Sequence, residues 1–166
     1  AMADRLSHIL MRNTDQANNM MLNLLDSHDT ERFLTLAKKN GKDERSLLCS
    51  LAIMFFLPGM PCIYYGTEIG MEGGYDPDCR RTFDWNRKNW NMRVYATVIN
   101  LIRLRKCIKG DVTYSAENGI LLIGRGDLIL AVNNGTEKRR TKILHKEYEI
   151  GPFEFIIINI KEGEVL

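Results

Sequence analysis

The chain changes its hydrophobic rhythm once, between Cys107 and Gly110, and that change divides what its two parts can fold into. Ahead of it, apolar residues fall at helical spacing or in short unbroken runs. After it come short β-rich runs at Val112 to Ser115, Ile120 to Gly124, Leu128 to Asn133 and Phe153 to Ile160. The turn dipeptides Asn118-Gly119, Gly126-Asp127 and Asn134-Gly135 separate them. Residues 108–166 are therefore expected to form a small antiparallel, sandwich-like module, marginal by itself and docked on what precedes it. Residues 1–107 are expected to alternate helix and strand, as the βα units of a parallel sheet do.

In the first part, Leu6, Ile9 and Leu10 mark a helix from Ala3 to about Asp15, followed by the polar stretch Asn13 to Asn19. Met20 to Leu25 is apolar without alternation, which predicts a strand buried on both faces. After the breaker Lys39 to Gly41, an acidic start at Asp43 and an apolar body to Phe56, stopped by Pro58-Gly59, predict a buried helix. Pro61 to Tyr65 predicts a second strand, leading to Gly66-Thr67-Glu68 and a glycine-rich loop through Gly73-Gly74. Val94, Val98, Leu101, Ile102 and Leu104 give the span Arg93 to Lys106 an apolar helical face. Two parallel strands cannot cover their own faces or satisfy their edges. The α/β part is thus expected to be either the tail of a longer barrel or a sheet completed by self-association.

Charge excludes some partners. With 23 basic and 21 acidic residues the net charge is +2, too balanced for a nucleic acid or a membrane surface to be expected. The longest apolar run, Leu47 to Leu57, is too short for a bilayer, and the N-terminus lacks the apolar core of a leader, so a cytoplasmic location is expected. Ala1 reads as a cloning scar ahead of Met2, itself either an initiator or an internal cut point. Cys49, Cys62, Cys79 and Cys107 show no C-x-x-C pairing and are expected to be reduced, structural thiols.

Chemistry is expected where the first strand stops. Asn23 to Phe33, N-L-L-D-S-H-D-T-E-R-F, passes abruptly from apolar to ionisable residues. Ligands of barrels and open α/β sheets sit at such carboxyl ends, which makes His28 and Asp29 candidates. Glu68 follows the second strand, but a carboxylate beside glycines more often orders a loop. Asp76, Asp78, Arg80 and Arg81 read either as an ion-pair network fixing their loop or as a polar cluster whose arginine forks face a ligand. Trp85 and Tyr75 read either as stacking platforms or as packing. Arg125-Gly126-Asp127 and Asn134-Gly135-Thr136 are turns, and Lys138, Arg139, Arg140 and Lys142 alternate as the solvated face of a strand.

Three motifs in order carry a resemblance that covers essentially the whole chain. Asn23 to Phe33, then P-G-M-P-C-I-Y-Y-G-T-E-I-G-M at Pro58 to Met71, then G-G-Y-D-P-D-C-R-R at Gly73 to Arg81, resemble the α-amylase superfamily of glycoside hydrolases. The D-P-D-C-R-R loop is similar to the neopullulanase, cyclomaltodextrinase and maltogenic amylase branch. The resemblance implies the seventh and eighth strands and helices of a (β/α)₈ barrel followed by a C-terminal β-sandwich domain. It implies maltooligosaccharides or cyclodextrins, α-glucan oligosaccharides, as partners, with α-1,4 bonds as the expected target and α-1,6 bonds as a second candidate. It makes Asp29 the transition-state stabiliser and His28 a contact of the sugar beside the scissile bond. Asp76 and Arg80 then contact a more distant glucose, and Arg32 lies near the catalytic carboxylates. Retaining hydrolysis needs a nucleophile and an acid about 5 to 5.5 Å apart, and the family's pair follows the fourth and fifth strands, for which no motif stands here. The chain is accordingly expected to be a C-terminal fragment, inactive by itself, whose partner is the missing barrel half or a second copy. No cofactor is expected, calcium in the full-length parent coming mainly from other regions. A non-catalytic sugar-binding or structural module is the alternative.

Overall fold

The computed structural model describes residues 2–166, so Ala1 and its reading as a scar lie outside it. Helix α1 (Met2–Met11) ends earlier than its spacing predicts. The polar stretch behind it forms a second helix, α2 (Asp15–Met20), because the Thr14 hydroxyl accepts from Ala17 N–H at 3.2 Å and caps it. Strand β1 (Leu22–Asn23) follows, then α3 (Phe33–Lys39) and α4 (Glu44–Phe56). Strand β2 (Met60–Pro61) pairs with β1 in parallel, Leu22 against Met60 and Asn23 against Pro61, and leads to α5 (Met92–Cys107).

The two strands are shorter and more open than expected. Leu22 is 61% and Leu24 50% exposed, not buried on both faces. A strand with one neighbour has no second strand to extend its ladder and nothing to cover its flanks.

The two longer helices form where expected, with their ends fixed by side chains. Asp43 caps α4 by accepting from Arg45 N–H at 3.0 Å, and Asn91 caps α5 by accepting from Arg93 and Val94 N–H at 3.1 Å each. Leu47, Leu51 and Phe56 of α4 pack with Val94, Val98 and Leu101 of α5 in the main core. At the end of α4, the carbonyls that a helix leaves unpaired are taken up by two arginines from different parts of the chain. Arg105 of α5 donates to Phe55 and Leu57 oxygens at 2.8 and 2.9 Å, and also to Gly59. Arg125 donates to Leu57 at 2.8 Å and Phe56 at 3.3 Å. Burial pushes both guanidinium pKa values down, which for arginine leaves the charge in place.

The remaining strands are β3 (Val112–Glu117), β4 (Ile120–Arg125), β5 (Leu128–Asn133), β6 (Arg139–Ile143), β7 (Lys146–Ile150), β8 (Glu154–Asn159) and β9 (Glu164–Val165). Five of them form one antiparallel sheet in the order β3-β4-β5-β8-β9, while β6 and β7 form a separate hairpin. Strand periodicity of two assigns the faces. Leu121, Ile123, Leu130, Val132 and Ile157 join the core of α4 and α5, whereas Ile120, Ala131 and Ile158 pack on Ile143 and Ile150 of the hairpin. The module is thus a small sandwich docked on the α/β part. Asn118-Gly119 and Gly126-Asp127 turn tight hairpins as expected, but Asn134-Gly135 does not. There the chain leaves the sheet for the second layer, and β5 pairs with β8 instead of β6. No helix among the described residues is long and apolar enough to cross a membrane.

Candidate functional site

Beyond β1 the chain turns sharply, and short-range hydrogen bonds decide which side chains face outward. Ser27 N–H donates to the Thr30 hydroxyl at 3.0 Å, and Asp29 N–H donates to the Ser27 hydroxyl at 3.2 Å. With the serine and threonine consumed by the turn, His28 and Asp29 project into solvent, their side chains 63% and 68% exposed. His28 Nε2 lies 3.0 Å from Asp29 Oδ2.

The loop after β2 meets this turn. Arg80 Nε donates to the His28 carbonyl at 3.1 Å and pairs with Asp76 Oδ1 at 2.8 Å, while its Nη2 reaches Asp29 Oδ1 at 3.6 Å. Four of the expected site residues, His28, Asp29, Asp76 and Arg80, therefore meet at one place, although about fifty positions separate the two loops. Exposed ion pairs of this kind contribute at most about 1 kcal/mol, so stability does not account for the cluster. A guanidinium fork and carboxylates exposed together offer both donors and acceptors to hydroxyl groups.

The fifth residue, Arg32, lies beneath the cluster and not among it. It is 0% exposed. Its Nε donates to Cys79 O at 3.0 Å, its Nη1 to Tyr65 O, and its backbone N–H to Gly73 O at 3.0 Å. The guanidinium carbon sits 4.2 and 4.8 Å from the ring centres of Tyr64 and Tyr65.

Neighbouring carboxylates have separate duties. Asp78 accepts from Gly74 N–H at 2.6 Å and from Arg81 at 2.7 and 3.0 Å, and these bonds, the backbone one foremost, hold its carboxyl below the usual range. Gly73 is required here, since a Cβ would stand 2.6 Å from Asp78 O. The ion-pair reading thus fits Asp78 and Arg81, while Asp76 and Arg80 join the cluster. Glu68 faces α5, lining a cavity of about 380 Å³ with Tyr95, Ile99 and Ile102, and its Oε2 is buried with no hydrogen-bond partner among the described residues. Trp85 is 82% exposed, touches Phe83 edge-on at 4.7 Å and borders a cavity of about 680 Å³ with Glu72, Arg81 and Asp84.

Two supporting residues escape a reading of the sequence. Asp26 is buried, and its carboxylate accepts from Phe33 N–H at 3.1 Å and from the Thr67 hydroxyl at 3.0 Å, tying the turn to α3 and to the loop after β2. Cys79 is fully buried, and its thiol donates to the His28 carbonyl at 3.0 Å. Among the described residues no group of three or more His, Cys, Asp or Glu side chains is placed to hold a metal ion.

Comparison with known proteins shows what the chain is similar to. Residues 1–111 match the family model described as alpha amylase, catalytic domain. The chain is 48% identical over 105 residues to an intracellular maltogenic amylase of Bacillus subtilis, covering 63% of this chain and 17% of that protein. It is 39% identical over 146 residues to a cyclomaltodextrinase of Thermoanaerobacter pseudethanolicus, covering 82% of this chain and 25% of that one. Among solved structures, the cyclic α-maltosyl-(1→6)-maltose hydrolase of Arthrobacter globiformis in complex with maltose matches at a TM-score of 0.83 and 28% identity, over 96% of this chain and 39% of that one. The chain thus spans between 17% and 25% of the length of these curated relatives.

Proposed function

The chain belongs to the alpha-amylase family, and from that premise we propose that its loops after β1 and β2 form one wall of a glycosidase cleft. Within the family's (β/α)₈ barrel it supplies the last two βα units, followed by the C-terminal antiparallel domain, with the division after Cys107. The proposed reaction is retaining hydrolysis of α-1,4 glucosidic bonds in maltooligosaccharides or cyclodextrins, with α-1,6 bonds as the second candidate. The observation that carries it is the meeting of His28, Asp29, Asp76 and Arg80 at one strand end. His28 donates to a hydroxyl of the sugar being cleaved, and Asp76 with Arg80 clamps a glucose farther along the chain. Asp29 opposes the positive charge that develops on the anomeric carbon. The nucleophile and the acid/base are supplied from beyond these 166 residues. None of these roles calls on a cofactor, and the word intracellular in the name of the Bacillus relative supports a cytoplasmic setting.

Titration of the chain with millimolar maltotriose is expected to shift the amide resonances of residues 27–30 and 76–81, and Arg80→Ala is expected to abolish the response. A loop that ignores the sugar sinks the proposal. With cyclodextrin or a chromogenic maltoside the chain by itself is expected to show no turnover. Robust turnover abolished by Asp29→Ala would show that the missing carboxylates are present here after all. The exposure of the cluster, 47% to 68% of each side chain, also suits a second reading, a binding or structural module without catalysis, which a sugar response persisting in an inactive complete protein would favour.

The proposal includes a partner at the strand edges. Leu22, Leu24 and Met60 are exposed beside the unpaired sides of β1 and β2, where either the remaining barrel strands or a second copy would pair. Light scattering of the isolated chain is expected to show association that rises with concentration, and a monomer at every concentration counts against pairing between copies.

A further inference from the structure

A guanidinium with no exposure cannot touch a sugar, and burying one is costly unless its hydrogen bonds do something for the fold around it. The guanidinium of Arg32 donates to two segments, to Tyr65 past β2 and to Cys79 in the D-P-D-C-R-R loop, and its backbone N–H donates to Gly73 at the start of that same loop. Cys79 in turn donates to His28 O, and the next residue, Arg80, reaches His28 O, Asp29 and Asp76. Arg32 follows Asp29 by three residues, so the two loops are bonded at both ends and the circuit is closed. Tyr64 and Tyr65 lie against the guanidinium and hold its plane.

We infer that Arg32 is a positioning residue which, through Cys79, holds His28, Asp29 and Arg80 in their mutual geometry; the inference rests on the sugar-contact reading of that cluster. The exposed pairs of the cluster are too weak to hold themselves in place. The buried strut supplies what they lack, and small displacements of such groups are expensive, about 1 Å costing up to 10²-fold in rate. Lysine cannot replace the arginine, because a point charge without a planar fork cannot span the Tyr65 and Cys79 carbonyls together.

Three variants of the chain test this by NMR. In Arg32→Lys the resonances of Leu51 and Leu130 are expected to stay in place, while those of residues 27–30 and 76–81 shift and broaden and maltotriose binds at least about tenfold more weakly. Cys79→Ala is expected to shift the ¹³C resonance of the His28 carbonyl, and Cys79→Ser, which restores a donor, to return it toward the native position. Native loop resonances and native sugar affinity in Arg32→Lys overturn the inference, as do identical His28 carbonyl shifts in Cys79→Ala and Cys79→Ser. Should Arg32→Lys fail to fold, the cysteine pair decides. Should the unaltered chain bind no maltotriose, the sugar reading fails and the carbonyl shifts still decide whether the strut positions the loop.

Discussion

Asn133→Asp is expected to destabilise the chain by about 4 kcal/mol, against about 2 kcal/mol for Asn133→Ala. The Asn133 side chain is 0% exposed and sits where β5 leaves the main sheet. Its amide nitrogen lies 2.8, 3.0 and 2.9 Å from the carbonyl oxygens of Glu137, Ile150 and Gly151, its two hydrogens shared among the three, and its oxygen accepts from Gly135 N–H at 3.0 Å. Alanine leaves these backbone groups unpaired. Aspartate does worse, because it keeps the size of asparagine but offers only oxygens, and a buried carboxylate would face three carbonyls. Either it remains charged against them or it takes up a proton that can serve one of the three. The amide also ties the crossover loop and the end of β7 to the main sheet, so its loss should free the β6–β7 hairpin from Ile120, Ala131 and Ile158. Urea unfolding measures the loss of stability, and hydrogen exchange should show residues 139–150 losing protection before the five-stranded sheet. An Asn133→Asp variant as stable as the native chain would remove this residue as the link between layers.

The same residue explains where a reading of the sequence stops. Asn134-Gly135 carries the strongest local hairpin signal in this region, yet the Asn133 amide draws the chain off the sheet before a hairpin can close. The hairpin that does form turns on Leu144 and His145, both at positive φ, 50° and 68°. Neither is a residue type that announces such a turn, so β6 was legible as an alternating basic strand while its partner β7 was not. Helices α4 and α5 were legible because their apolar faces and stop signals are local. The mainly apolar stretch Met20 to Leu25 misleads in the opposite way, since ladder length depends on neighbouring strands and β1 has one. The candidate site divides likewise. Its exposed members stand in motifs whose order can be read directly, whereas the supports beneath them depend on contacts between Asp26 and Thr67, Arg32 and Cys79, and Cys79 and His28, separated by 41, 47 and 51 positions. No periodicity reports a contact at that distance, and only packing shows that the cysteine of D-P-D-C-R-R faces inward.

Among the exposed members, Asp29 is expected to matter most to rate. Grafted in place of the matching segment of the Thermoanaerobacter cyclomaltodextrinase, with which it shares 39% identity over 146 residues, the chain should restore turnover of cyclodextrin. In that chimera Asp29→Asn is expected to lower kcat by about 10²- to 10³-fold, roughly 3 to 4 kcal/mol, with little change in KM. The asymmetry follows from when each group acts. Asp76 and Arg80 meet hydroxyls that the substrate already presents in its ground state, so removing them should raise KM, and removing Arg80 should lower kcat as well because it also braces Asp29 and the His28 carbonyl. The charge of Asp29 has little to oppose until positive charge gathers on the anomeric carbon, and asparagine keeps the shape while removing that charge. A chimera in which Asp29→Asn raises KM but leaves kcat within about threefold would make Asp29 another binding group and move the transition-state role away from this strand end.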